Sequence, residues 1–388
     1  MAHQVFHFEI RPTKEQEEQL WLHFKGVRFV YNHFLSERKE QYRLTQTSDK
    51  YHAQCKSLTQ LKRQDDYRWL NKVNAQSLQQ SLKQLEAAYN NFFEKRAAYP
   101  RYHSCQDNQS FRVPQSFKIQ GSKLTIPKIK NIKIIHHRKI EGRICYIAVS
   151  YKTHGKYYVS ICCEVEHKQY PITGRLVGVD LGIKDLAITS DNKRYKNHRY
   201  TKKYARKLKR YQQHLSRKQK GSKQRNKIKK QVAKIHAKIR NARHDTLHKI
   251  THELVKTYDI ICIETPDIQY MAKNRKLTKH FMDAAWGTLR QFLRYKADRH
   301  GRTVIAVSQF FPSSKTCCHC RFVNEKLTLA DREWTCPKCG QTLDRDFNAA
   351  CNILAEGLNS VSAGVVEYTP GVDIRPTRRR TAMKGAKF

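Results

Sequence analysis

No stretch of this chain is apolar for long enough to cross a membrane; the longest apolar runs, such as that around Ile260, are strand-sized. The opening MAHQVFHFEI has no charged region followed by an apolar one, so a secretory leader is not expected. Acidic residues are scarce, 33 against 76 Lys and Arg, giving a formal net charge of +43 over 388 residues. From Asn192 to His244 they are missing altogether, while Lys and Arg in that stretch number about twenty, which has a direct consequence for phosphate binding. Such an excess points to a polyanion partner, with nucleic acid the foremost candidate. A membrane surface is the weaker choice, because no amphipathic basic helix stands beside an apolar anchor. Of the 12 cysteines, four show metal-ligand spacing and the others are scattered among apolar residues, which suits a reducing, cytoplasmic compartment.

The length allows two or three domains. Phe6, Phe8 and Ile10 alternate as in a strand, and Thr13 with Gln16 has the spacing of a capping box. Helical periodicity then runs to about Tyr99, with breaks expected near Gly26 and Ser48. Leu78, Leu82, Leu85, Tyr89, Phe92 and Phe93 recur at helical spacing and are read as helix core. From Phe117 to Val165 the pattern becomes strands, with turns at QGSK (120–123) and THGK (153–156). A small barrel interrupted by a helical lobe follows from this order. In the acid-free stretch, Tyr204, Leu208, Tyr211 and Leu215, then Ile228, Val232, Ile235 and Ile239, describe two helices joined at Gly221-Ser222. Like charges at helical neighbour spacing repel unless an anion screens them, so a bound polyanion is expected there. A helical stretch near 283–300 and a strand at 302–308 come next, and the tail from about residue 359 reads as disordered.

Three acids carry the chemistry. Asp180 lies in VGVDLGIKDLAITS, Glu264 ends the apolar run of YDIICIETPD, and Asp346 opens a helix-like stretch in LDRDFNAACNIL. A carboxylate beside an apolar core needs its charge compensated, and divalent cations do so. Asp180, Glu264 and Asp346 are therefore expected to hold two Mg2+ or Mn2+ ions for phosphodiester hydrolysis, on an RNase H-like core. Asp185, Asp267 and Asp344 read as surface or turn residues. Cys317, Cys320, Cys336 and Cys339 give C-x2-C-x15-C-x2-C, the spacing of a zinc ribbon. Four thiolates close the coordination shell, so this zinc is expected to be structural, contributing on the order of 10 kcal/mol to local folding. Cys318 and His319 are alternative ligands with poorer spacing.

With these residues in hand, the chain resembles the TnpB (OrfB) proteins of insertion sequences, relatives of the type V CRISPR effectors. The resemblance runs through GVRFVYNHF (26–34), DLGIKDLA (180–187), IHAKIRNARHDTLHKI (235–250), IETPDIQYM (263–271), SSKTCCHC, CPKCG and DRDFNAACNI. It implies that Asp180, Glu264 and Asp346 are RuvC-like catalytic acids, Asp346 rather than Asp344 because the family's acid lies two before the Asn, here Asn348. One departure is ETPD where relatives often carry Glu-Asp-Leu. The family implies an RNA-guided DNA endonuclease that carries a guide RNA from the transposon end and cuts double-stranded DNA beside a short motif. The expected fold is α+β and multidomain: a wedge-like β-barrel (1–12 and 110–172), a helical recognition lobe (13–109), a RuvC-like nuclease core (173–308 and 341–358), a zinc ribbon (309–340) and a basic tail (359–388). Lys25, Arg28 and Asn32 are candidate motif readers. Two other functions stay open: a transposase that joins strands with the same acids, and a non-catalytic zinc-ribbon DNA-binding regulator.

Overall fold

Alternation at the N-terminus produces β1 (Ala2–Arg11). Its residues Phe6, Phe8 and Ile10 fall on one side of the pleat and are at most 2% exposed. The computed structural model describes residues 2–266, 275–328, 330–362 and 373–374, and the chain divides into units of residues 1–166 and 167–388.

In the first unit β1 is one of seven antiparallel strands, with β2 (Gln109–Val113), β3 (Lys118–Gln120), β4 (Lys123–Ile126), β5 (Ile129–Ile135), β6 (Arg143–Lys152) and β7 (Lys156–Val165). Their order, β2-β6-β7-β1-β5-β4-β3, is linear among the described residues. Helices α1 (Lys14–Thr45), α2 (Tyr51–Leu61) and α3 (Ala75–Phe93) lie between β1 and β2 in the chain. The Thr13–Gln16 capping box forms: Gln16 N–H donates to the Thr13 hydroxyl at 3.3 Å, and the Gln16 side chain accepts from Thr13 N–H at 2.9 Å.

The break expected at Gly26 does not occur, and α1 runs through it. A Cβ there would come within 3.0 Å of Val73 Cγ2 and 3.4 Å of Leu78 Cδ2. The glycine thus lets α1 pack closely on the α3 segment, which offsets its intrinsic helix cost of about 1 kcal/mol. Leu78, Leu82 and Leu85 are fully buried as expected, but Phe93, in the last turn of α3, is 71% exposed. The helices and the sheet share one apolar core, in which Phe8, Phe24, Leu82 and Val159 all take part.

The second unit is built on a sheet ordered β10-β9-β8-β11-β12-β15. These strands are β8 (Leu176–Asp180), β9 (Asp185–Thr189), β10 (Arg194–Lys196), β11 (Ile260–Glu264), β12 (Thr303–Val307) and β15 (Asp373–Ile374). β8, β9 and β10 form an antiparallel meander, whereas β11, β12 and β15 add in parallel beside β8. Helices α4 (Tyr200–Ser216) and α5 (Lys223–Thr257) follow β10; α6 (Arg275–Ala284) and α7 (Trp286–His300) precede β12. Helix α8 (Arg345–Ser362) closes the unit, extending past the point where the tail was expected to begin.

Three layers result. Val179, Ile261, Ile263 and Val304 pack against Leu247 and Leu254 of α5 and Leu289 and Leu293 of α7. Cys262, Ile305 and Val307, pointing the other way, meet Ile353 of α8. Two glycines permit that second contact. A Cβ on Gly178 would lie 2.0 Å from the Ala350 carbonyl oxygen, and one on Gly357 would lie 2.4 Å from Cys262 Sγ. Between β12 and α8, β13 (Glu333–Thr335) and β14 (Thr342–Asp344) form a small antiparallel hairpin. Among the described residues no helix is long and apolar enough to cross a membrane.

Candidate functional site

The parallel register of β8 and β11 pairs Val179 with Ile263. The next residue of each strand, Asp180 and Glu264, is the strand's last, so the two acids sit side by side at the same edge of the sheet. Alternation sets their direction. Gly178 and Cys262 face α8, so Asp180 and Glu264, two residues on, face the same layer. Asp346 lies in the first turn of α8, where the positive end of the helix dipole favours a carboxylate. The fold therefore brings all three acids to one corner.

Electrostatics register this proximity. Burial first, then the neighbouring Glu264 and Asp346 carboxylates, hold the Asp180 carboxyl well above the usual range. Burial likewise raises that of Glu264, while a hydrogen bond with Asp180 opposes the shift. Two adjacent, desolvated carboxylates cannot both ionise cheaply without a cation, and an all-oxygen donor set fits a hard divalent ion such as Mg2+ or Mn2+. Asp346 is held differently, 3.3 Å from Arg345 and 3.5 Å from Arg332.

Asp344, read from the sequence as a turn or surface acid, has a structural task. Its carboxylate accepts from Phe347 N–H at 2.8 Å, capping α8, and pairs with Arg194 of β10 at 3.0 Å. Arg194 also reaches Asp185 at 3.8 Å. The spacing of Asp344 to the apolar start of α8 was an N-cap signal that could have been read. Nothing in the sequence pointed to Arg332, because the contact is tertiary. Asp267 lies outside the described residues.

The four predicted thiols converge. All four Sγ atoms of Cys317, Cys320, Cys336 and Cys339 lie within 4.8 Å of one another. Cys317 and Cys339 are 3.7 Å apart, and Cys320 and Cys336 3.5 Å. Tetrahedral zinc with Zn–S near 2.3 Å requires about 3.8 Å between sulfurs, so the set fits that ion. Among the described residues no other Cys, His, Asp or Glu group closes this tightly. Each thiol pair sits on a tight turn: Arg321 N–H donates to Cys317 O at 2.9 Å, and Gly340 N–H to Cys336 O at 2.8 Å. Cys318 faces elsewhere, its N–H donating to Asn348 Oδ1 at 2.8 Å, and neither it nor His319 joins the cluster.

A basic surface completes the picture. Gly221, at φ +86°, turns the chain between α4 and α5, and the Ser222 hydroxyl caps α5 by accepting from Arg225 N–H at 3.1 Å. No residue of α4 is fully buried, and its Lys203, Arg206, Lys207 and Arg210 line an open groove of about 650 Å³ together with Tyr204. The start of α4 has no cap of its own; instead Asp283 of α6 accepts from the Thr201 hydroxyl at 2.6 Å and pairs with Arg243 of α5 at 2.7 Å. This buried link fixes the hairpin to the layer behind the sheet.

The three suggested motif readers have intramolecular partners. Lys25 sits over the Trp69 ring at 4.8 Å, Arg28 donates to Gln109 at 2.7 Å, and Asn32 exchanges two hydrogen bonds with the His103 backbone. Of the three, Arg28 lines a polar cleft of about 270 Å³, alongside Gln84, Arg101 and Asn108.

Comparison with known proteins identifies the class. Residues 160–275 match a family described as "Probable transposase", residues 286–353 the Cas12f1-like TNB domain, and residues 1–47 a "Helix-turn-helix domain". In this chain the last of these comprises a strand and one uninterrupted helix. A cryo-EM structure of Cas12f1 with sgRNA and target DNA is similar in fold, with a TM-score of 0.55 at 13% identity, covering 87% of this chain and 82% of that one. The chain is thus an α+β multidomain protein with a zinc-ribbon-like cysteine cluster. It belongs to the TnpB (OrfB) family. A "Putative RNA-guided DNA endonuclease" of Streptomyces pristinaespiralis is 36% identical over 93% of this chain and 90% of that protein. "Putative RNA-guided DNA endonuclease InsQ" of Escherichia coli K12 is 32% identical over 93% and 94%.

Proposed function

We propose that this protein is an RNA-guided DNA endonuclease that binds a transposon-derived RNA and cuts double-stranded DNA with one acid site. The observation that carries this reading is the adjacent placement of Asp180 and Glu264 on parallel strands, beneath the helix end bearing Asp346. The strand order, three antiparallel strands followed by three parallel ones beside the first, supports an RNase H-like, RuvC-type core. On this reading residues 1–12 and 110–172 are a wedge, 13–109 a recognition lobe, 173–308 and 341–358 the nuclease core, and 309–340 the ribbon.

Asp180, Glu264 and Asp346 would hold Mg2+ or Mn2+, which when bound activates the attacking water and neutralises charge on the phosphate. The side chains themselves fix where that charge compensation falls. Asp180, whose carboxyl is acted on by both the Glu264 and the Asp346 carboxylates, would be the acid at the centre of the set. Arg332 and Arg345 keep Asp346 paired until a cation competes for it. Cys317, Cys320, Cys336 and Cys339 would hold Zn2+, leaving no position for substrate, so its contribution is to the ribbon's fold. The cationic α4 groove and the α5 helix engage phosphates independently of sequence, as guided recognition requires, since base pairing does the reading.

The test is to express the chain with its native flanking DNA and sequence the RNA that copurifies. A discrete species ending in interchangeable flank sequence, together with cleavage of a matching duplex, is expected. Heterogeneous RNA with strand-transfer products would instead make the chain a transposase, and binding without any cleavage would make it a regulator.

A further inference from the structure

Beyond the acids, the edge of the sheet on which they sit carries an aromatic ring with no role in the fold. We propose that Phe310 is a stacking platform that holds an unpaired nucleobase of the DNA strand beside the bond to be cut; this rests on the endonuclease reading above.

Position is the first reason. Val307, the last residue of β12, is the register partner of Glu264, and Thr265 ties the two strand ends together by donating its hydroxyl and its N–H to Val307 O at 2.9 and 3.2 Å. Phe310 comes three residues later, so the chain places it at most about 10 Å beyond that strand end. That is within a few nucleotides of any phosphate held at Asp180 and Glu264.

Rigidity is the second. An isolated exposed apolar side chain on a loose loop would call for no explanation. Phe310 is 85% exposed yet stands on a fixed turn: its N–H donates to Ser308 Oγ at 3.3 Å, and Phe311 N–H to Ser308 O at 3.1 Å. Phe311, the very next residue, packs on the apolar cluster of Ile305, Val307 and Ile353. One ring anchors the turn and the other is presented to solvent. Further along, Asn352 donates to Ser313 O at 2.9 Å and Asn348 to Thr316 O at 2.7 Å, both from fully buried side chains of α8. The turn and Asp346 are therefore fastened to the same helix.

Chemistry selects the occupant. Pairing of a guide RNA with one strand of the duplex leaves the other unpaired, and its bases then need a surface. An aromatic face accepts any base, which suits an enzyme whose specificity lies in its guide. Arg332, half exposed where it meets Asp346, adds positive charge for the backbone of such a strand.

The experiment uses the full chain with its RNA, comparing wild type, Phe310→Ala and Phe310→Tyr on a matched duplex. Phe310→Ala should slow cleavage by about tenfold, the scale of one lost stacking contact, with target binding unchanged; Phe310→Tyr should keep the rate. The defect should vanish when abasic sites replace the nucleotides flanking the cut, since no base remains to stack. A wild-type rate for Phe310→Ala, or an equal defect on the abasic substrate, would overturn the proposal. If the wild-type chain cleaves nothing, the endonuclease reading fails, and the stacking claim is read separately in Asp180→Ala protein. There, quenching of 2-aminopurine in a single-stranded oligonucleotide should be lost on Phe310→Ala. Equal quenching with and without the ring would reject the platform and leave a protein partner as the explanation for its exposure.

Discussion

The four thiols and the three acids are both candidate metal sites in one unit, yet they are assembled in opposite ways. The thiols come from two short turns within residues 317–339, and their sulfurs already lie at zinc-like separations. The acids come from two strands and a helix spread over residues 180–346, and the third of them is paired with Arg332 and Arg345. A site built from local turns can be complete in itself, whereas one built across a sheet depends on register, on two glycines and on a helix end. The first is suited to holding structure. The second remains responsive to what binds it, which is what a substrate-dependent reaction needs.

The locally built site depends on every one of its thiols. Cys336→Ser should abolish stoichiometric zinc, removing on the order of 10 kcal/mol of metal-linked folding from the ribbon; elemental analysis of the purified variant reads this directly. Unchanged zinc content would show that Cys336 is not a zinc ligand. At the tertiary end, Asp180→Ala should lower cleavage by about a thousandfold or more, equivalent to several kcal/mol of lost charge stabilisation. Zinc content and nucleic-acid binding should stay as in the wild type, and a residual rate near normal would show that the acid corner is not the reaction site.

Glycine substitutions sharpen the contrast. Gly178→Ala drives a methyl into the Ala350 carbonyl and should cost about 1–3 kcal/mol or more, seen as a lower midpoint in denaturant. Gly340→Ala, at φ +73° with open space around it, should cost only about 1–2 kcal/mol of backbone strain. Equal effects would mean that α8 can slide on the sheet. The smallest effect is expected from Arg332→Ala. Half exposed, this arginine holds Asp346 weakly, so its removal should tighten Mn2+ binding by no more than a few-fold in titrations of the nucleic-acid-free protein.

Much of this architecture could be read in the sequence where the signal was local. The cysteine spacing, Glu264 at the end of its apolar run and the acid-free hairpin with its Gly221-Ser222 turn each depend on residues close in the chain; the structure brings the four thiols together, ends β11 at Glu264 and turns the chain at Gly221. Tertiary contacts account for what was missed. Gly26 looked like a helix break because its role is to admit Val73, a residue far along the chain. Phe93 kept the helical period but lies in the last turn of α3, where it stays 71% exposed beside the Tyr89 and Phe92 rings of its own helix. Asp283 capping α4 and Arg332 reaching Asp346 join segments with no sequence relationship. The adjacency of Asp180 and Glu264 needed the β8–β11 register, which no periodicity in either strand reveals.

The most direct measurement reprograms the guide. Wild-type and Asp180→Ala complexes would be prepared with RNAs ending in two different sequences and assayed on duplexes matching each. Cleavage that follows the RNA end from one duplex to the other, and is absent in Asp180→Ala, is the result predicted by an RNA-guided endonuclease with its reaction at these acids. Cleavage at the same place whichever RNA is bound, or undiminished without Asp180, would contradict it.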